Sequence, residues 1–209
     1  MTYEFLPLKG RSKANIEFNY ATNTVKKSQS LDASRLIKQV QKQQFFESFN
    51  IKNISTPRIT KVAHDYFHME FINGKNFIQF VEDENIKNIN YQIENIITYL
   101  NNIRSIPSKN ELNFNSAVLK KLKQLKTEVR HPSIYKFIIN ELQKTNLILE
   151  NTYCHGDLSL SNIIFKENQI YLIDFLDTYF NSYLLDIAKI RQDTLYYWIF
   201  KVNDYSSIK

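Results

Sequence analysis

A chain of 209 residues is long enough to bury a sizeable core, and a composition of 43% hydrophobic and 14% aromatic residues with three glycines and four prolines excludes an intrinsically disordered protein. The single cysteine, Cys154, excludes an internal disulfide, and no run reaches the roughly 18–20 apolar residues of a membrane-spanning helix. The net charge of +6 comes from lysines scattered among asparagines and isoleucines, not from clustered arginines with stacking aromatics, so no nucleic-acid partner is expected.

The chain opens MTYEFLPLKG, without the apolar core of a secretory signal, and with one thiol a reducing cytoplasm is its expected home. Alternation at Tyr3 and Phe5, then Ile16, Phe18 and Tyr20, then Val25 predicts three short antiparallel strands, with a turn at Lys9-Gly10-Arg11-Ser12 between the first two. From Asp32 the spacing becomes helical, with Leu36, Val40 and Phe46 on one side and Ser30 or Asp32 as the cap. Arg58 to Val62 and Tyr66 to Phe71 read as two more strands around Ala63-His64-Asp65, and Asn73-Gly74 supplies a turn. Helical periodicity follows over Ile86 to Ile106, Ser116 to Val129 and Ser133 to Lys144, punctuated by Pro107 and Pro132. Lys120, Lys121, Lys123 and Lys126 alternate there with leucines, as on the wet face of an amphipathic helix. Two short strands, Asn162 to Lys166 and Gln169 to Asp174, surround a turn at Glu167-Asn168, and a last helix runs from about Leu184 to Phe200. Strands followed by helices give an α+β chain with two lobes: 1–74 as a small β lobe, 75–209 as a helical lobe, and a hinge at 70–74.

The chemistry concentrates in His155-Gly156-Asp157-Leu158-Ser159-Leu160-Ser161-Asn162, followed by Ile163-Ile164-Phe165 and then Leu172-Ile173-Asp174-Phe175. Phosphoryl transfer from ATP requires a carboxylate to orient or deprotonate the acceptor hydroxyl, and oxygen ligands for the Mg2+ that neutralises the triphosphate. Asp157 suits the first task, and Asn162 and Asp174 the second, with the hairpin from Ile163 to Ile173 bringing them to one edge of a cleft. H-x-D-x-x-x-x-N, a strand, a turn, a second strand and I-D-F form a long composite that points to a protein-kinase-like fold, although each piece alone is weak.

This segment resembles the aminoglycoside phosphotransferase and choline kinase family, in which H-G-D replaces the H-R-D of protein kinases. The resemblance runs from His155 to Lys189 and takes in Asp177 and Asp186-Ile187-Ala188, where the family carries a second aspartate and a D-L-A motif. Ser161-Asn162-Ile163 and Asp186-Ile187-Ala188-Lys189 look most like small bacterial phosphotransferases linked to polysaccharide synthesis. The resemblance implies ATP and Mg2+ as cofactors and a small-molecule hydroxyl acceptor of the sugar, polyol, aminoglycoside or choline type. It makes Asp157 the catalytic base, His155 a buried brace and Asp186 an acceptor for loop amides, while Asp177 either faces the substrate or lies in a solvated loop. Cys154 reads as a small buried strand residue.

The same resemblance calls for a strand lysine on the ATP phosphates, paired with an acid on the next helix. Lys26 and Lys27 are both candidates; alternation puts Lys27 on the face of Val25, so it reaches the phosphates if Val25 lies against adenine. No acid occurs between Arg35 and Gln44, and Gln39 is the expected neutral substitute. Gly10 is the only glycine of the phosphate loop, where Arg11 or Lys13 adds charge, and backbone near Glu70 and Ile72 is expected to meet the adenine edge. Two alternatives stay open. A protein kinase is disfavoured by Gly156 and Ser159, which stand where that group usually has Arg and Lys; a nucleotide-binding protein with little or no turnover is suggested by the missing acid. Tyr179, Phe180, Tyr183, Tyr196, Tyr197 and Trp198 offer either pocket walls or core.

Overall fold

The computed structural model describes residues 5–8, 14–29, 33–124, 126, 130–145 and 148–202. The expected turn at Lys9–Ser12, with Arg11 and Lys13, and the caps at Ser30 and Asp32 lie outside the described residues.

Three strands, β1 (Phe5–Leu8), β2 (Asn15–Asn19) and β3 (Thr24–Ser28), are followed by helix α1 (Ala33–Glu47). The two-residue β4 (Ile54–Ser55) precedes β5 (Ile59–Val62) and β6 (Tyr66–Glu70), and the first sheet has the order β1-β2-β3-β6-β5 with antiparallel neighbours. The strand period of two explains which side is dry, since Val25, Phe67 and Met69 are buried and meet Leu36 and Val40, one turn apart on α1. Lys27 pairs in register with Phe67 and shares that buried face.

Beyond β6 the chain crosses to the helical part through a segment fixed at its far end. Lys75 exchanges both backbone hydrogen bonds with Phe165, at 2.8 Å each. Gly74 permits this approach, because a Cβ there would lie 2.6 Å from the Phe165 carbonyl oxygen. Helix α2 (Phe77–Asp83) starts at an Asn76 and Gln79 capping box, and its Phe80 ring stacks 4.1 Å from Phe165. Helix α3 (Ile86–Arg104), capped by Asn85, inserts Tyr99 and Ile103 into the main core.

Strands β7 (Pro107–Asn113) and β8 (Ile148–Thr152) pair antiparallel and bracket α4 (Phe114–Gln124) and α5 (Pro132–Lys144), which Asn115 ties together through the Leu142 and Thr145 carbonyls. A 3-10 turn at Leu160–Asn162 leads into the hairpin of β9 (Ile163–Lys166) and β10 (Gln169–Leu172), and β4 adds parallel to β10. Helices α6 (Tyr183–Tyr196) and α7 (Trp198–Val202) follow.

Several expectations require correction. The last helix is two helices, because Tyr197 adopts a left-handed backbone with φ of 54° and turns α7 so that Ile199 is buried. Helix α4 is described to Gln124, and of the expected helical stretch beyond it residues 125 and 127–129 lie outside the described residues. Pro107 opens a strand and not merely a break between helices. Strands β4, β7 and β8 and helix α2 carried no sequence signal: two are polar, one has two residues and the helix has seven.

Candidate active site

The loop 155–162 is held from beneath by α6. Asp186, fully buried, accepts the His155 amide at 2.7 Å and the Gly156 amide at 2.8 Å, and the Tyr99 hydroxyl donates to it at 3.1 Å. Seven residues on, buried Asp193 accepts the Leu160 amide at 2.6 Å. Gly156 has φ of 90°, and a Cβ there would meet the Leu176 carbonyl oxygen at 2.5 Å, so glycine alone fits this bend.

Within the loop, the Asn162 side-chain amide donates to the Asp157 carbonyl at 2.8 Å and to Asp157 Oδ2 at 3.2 Å. The Ser159 and Ser161 hydroxyls bond each other at 2.8 Å. His155 joins this loop to the next: its Nε2 donates to the Ile173 carbonyl at 2.8 Å, and its Nδ1 accepts the Asp157 amide at 3.3 Å. Burial, then the Lys42 charge, lowers the His155 pKa to about 4, so the ring is neutral near pH 7 and fits this pairing. Burial raises Asp186 to about 6 despite its backbone donors, and it raises the Tyr99 hydroxyl and the Cys154 thiol as well.

The Ile173 amide donates to the Asn162 carbonyl at 3.0 Å, which sets Asp174 beside the loop. Asp174 has a left-handed backbone, φ 62°, an uncommon conformation that aspartate tolerates better than most residues. Its Oδ1 pairs with Lys27 Nζ at 2.9 Å. Lys27 is only 4% exposed, whereas Lys26 on the opposite face pairs with Glu17 at 3.1 Å. Of the two candidate lysines, the structure therefore turns Lys27 toward the motif.

The structure does not bring Gln39 to Lys27. The Gln39 Oε1 is buried and has no hydrogen-bond partner among the described residues, and Lys27 reaches Asp174 instead. The physical reason is charge: a carboxylate binds an ammonium more strongly than a neutral amide does. Helix α1 turns basic residues to the other lobe where an acid was sought. Lys42 Nζ donates to the Leu176 carbonyl at 2.8 Å and to Asn181 Oδ1 at 3.2 Å, and Lys38 pairs with Asp177 at 3.0 Å. Asp177 accordingly borders a smaller cavity of about 400 Å3 shared with Lys38 and Lys42, apart from the main cleft.

The main cleft has a volume of about 660 Å3. Ile16, Val25, Met69 and Ile72 line it from the sheet and the segment after β6, Ile164 and Ile173 from the β9–β10 hairpin, and Asp157, Asn162 and Asp174 from the motif. Glu70 also lines it, but its amide donates to the Arg58 carbonyl at 2.9 Å and the Phe71 amide to the Asn23 carbonyl at 3.0 Å. Among the expected aromatic walls, Trp198 borders the cleft, whereas Tyr179, Tyr196 and Tyr197 are exposed and Phe180 packs on Phe114.

Sequence reasoning missed Lys189 and Gln192 as cleft residues. Lys189 Nζ lies 2.8 Å from Asp157 Oδ1. A signal was present, since 186, 189 and 193 follow helical spacing and share one face of α6.

Asn162 and Asp174 offer hard oxygen donors in a half-buried setting, the ligand chemistry of Mg2+. Among the described residues no group of three His, Cys, Asp or Glu side chains could hold a metal alone. The pair suits an ion completed by water and phosphate oxygens, the usual manner for Mg2+. No helix of the described residues is long and apolar enough to cross a membrane.

Comparison with known proteins adds the fold. Residues 111–178, about a third of the chain, match the profile of the RIO domain, and no curated protein matches the sequence. An ADP-bound aminoglycoside phosphotransferase, APH(2'')-Ib, superimposes with a TM-score of 0.60 at 20% identity, covering 89% of this chain and 70% of its own. A candidate fructosamine-3-kinase from Haemophilus somnus 129PT gives 0.64 at 12% identity, covering 93% and 72%. Choline kinase from Cryptosporidium parvum Iowa II gives 0.62 at 14% identity, covering 91% and 62%. At these identities the likeness establishes architecture: the chain has a protein-kinase-like α+β fold, with an antiparallel N-terminal sheet and a helical part.

Proposed function

We propose that this chain is a phosphotransferase that moves the γ-phosphoryl group of ATP to a hydroxyl of a small molecule. The observation that carries this reading is the convergence of Lys27, Asp157, Asn162 and Asp174 on one loop-and-hairpin platform beside an apolar cleft. ADP in the structural neighbour APH(2'')-Ib supports a nucleotide as the occupant.

In this reading the lobes are 1–74 and 75–209, and adenine lies among Val25, Met69, Ile72 and Ile173. Its edge reads the Glu70 carbonyl and the Ile72 amide, since the Glu70 and Phe71 amides are already used. Lys27 holds the phosphates. Asn162 and Asp174 would hold Mg2+, which would supply neutralisation of the charge on the triphosphate. The acceptor oxygen forms a bond to the γ-phosphorus as the bond from phosphorus to the β–γ bridging oxygen breaks. That electron pair leaves with ADP, and the hydroxyl proton passes to the Asp157 carboxylate.

For the acceptor we favour a sugar or polyol. Lys189 pairs with Asp157 in the cleft, and Gln192 and Trp198 line it from α6 and α7, which together supply a cation, an amide and an indole. A polyamine acceptor is better served by carboxylates, and a quaternary ammonium by an aromatic cage. The test is magnesium-dependent ATP turnover with a panel of sugars, nucleoside sugars, choline and aminoglycosides. The native chain is expected to phosphorylate a neutral hydroxyl compound, with Asp157→Ala and Asp174→Ala each slower by about 10²–10⁴-fold. Equal rates in all three chains refute the enzyme, and transfer confined to a protein or an aminoglycoside refutes the acceptor class.

A second reading, nucleotide binding without transfer, draws on one observation: Asp157 and Asp174 are each already paired with a lysine. Nucleotide affinity without product on any acceptor distinguishes it.

A further inference from the structure

We propose that Lys189 holds the phosphoryl group during its transfer, an inference that rests on the phosphotransferase reading above. Three observations point to it. First, Lys189 lines the main cleft and reaches Asp157 Oδ1 at 2.8 Å, and with side-chain exposures of 38% and 32% the two charges face the cleft and are not sealed in the core. Second, the carboxylate is fixed from its other side, because Oδ2 accepts from the Asn162 amide at 3.2 Å. Third, α6 is anchored to the loop on both sides of Lys189, by Asp186 beneath His155 and Gly156 and by Asp193 beneath Leu160. Positions 186, 189 and 193 occupy one helix face, so the anchors that fix the loop also fix the ammonium.

The loop supplies no cation of its own. Ser159, two residues after Asp157, is neutral and bonded to Ser161. An acceptor oxygen bound to Asp157 lies next to Lys189, and that oxygen forms the new bond to phosphorus as the bond to the ADP oxygen breaks. Negative charge spread over the equatorial phosphoryl oxygens then lies within reach of the ammonium.

The experiment needs no known acceptor. Calorimetry measures MgADP binding, alone and with aluminium fluoride, an anion that occupies the place of the transferred group. It is applied to the native chain, Lys189→Met and Lys189→Arg, and Lys189→Gln replaces the methionine variant if that chain does not fold. The native chain is expected to bind MgADP about tenfold or more tighter with the fluoride present. Lys189→Met keeps its MgADP affinity within about threefold, loses that tightening, and Lys189→Arg recovers part of it. Undiminished tightening in Lys189→Met, no tightening in the native chain, or a loss in Lys189→Arg as complete as in Lys189→Met overturns the role of Lys189 while nucleotide binding keeps the broader reading standing. Failure of the native chain to bind MgADP removes both.

Discussion

His155 and Asp186 show how burial can set two ionisable groups against each other. The folded pKa of His155, about 4, lies below its ordinary 6.5; the folded chain binds fewer protons in that window, and this contribution to stability is lost as pH falls toward 4. Asp186, at about 6, lies above its ordinary 3.8; the folded chain binds more protons there, and its contribution grows as pH falls through 6. Each amounts to about 3 kcal/mol, and they oppose. Removing one exposes the other. Chemical denaturation at pH 7 and pH 4.5 is expected to show the native chain's advantage over Asp186→Asn widening by about 2 kcal/mol on acidification. A constant or shrinking advantage contradicts this account. At the same scale the shared placement of Asp157, Asn162 and Asp174 was legible, because their spacing is stereotyped, and the surroundings of Gln39 were not. A missing acid says only that something else must hold Lys27, and the residue that does stands 147 positions away.

At the scale of elements, periodicity located α1, α3 and the strands around them because each has a full apolar stripe to bury. It failed at the C-terminus, where a helical pattern continues through a break made by backbone conformation alone. Tyr197 caps α6 in the left-handed region and is 63% exposed, so its side chain contributes little packing. Glycine is at ease in that conformation, whereas a β-branched residue is strained there. Tyr197→Gly is therefore expected to leave thermal stability near or above the native value, with Tyr197→Val lower by about 1–2 kcal/mol. Equal melting temperatures for the two variants indicate that the break is not set by this residue. The β7–β8 pair is the complementary case, since two short strands separated by α4 and α5 and lacking a regular apolar alternation offer no period to read.

The whole molecule is joined across the cleft by side chains from the first lobe. Lys27 bonds Asp174, Lys38 bonds Asp177, Lys42 bonds the segment 176–181, and Phe46 at the end of α1 lies in the second lobe's core beside Tyr99 and Phe175. The order of strands and helices, with the motif near the C-terminal end, revealed the kinase-like plan. It could not reveal these bridges, because lysines on a helix look the same in sequence whether they face water or a partner. Lys42 also lies 3.6 Å from the sulfur of Cys154, which is fully buried. The chain thus carries a built-in reporter: its lone thiol lies buried behind Lys42 of α1, so that side chain is the door to it. Alkylation by a colourless maleimide should be slow in the native protein and markedly faster in Lys42→Ala, timing how often that door stands ajar.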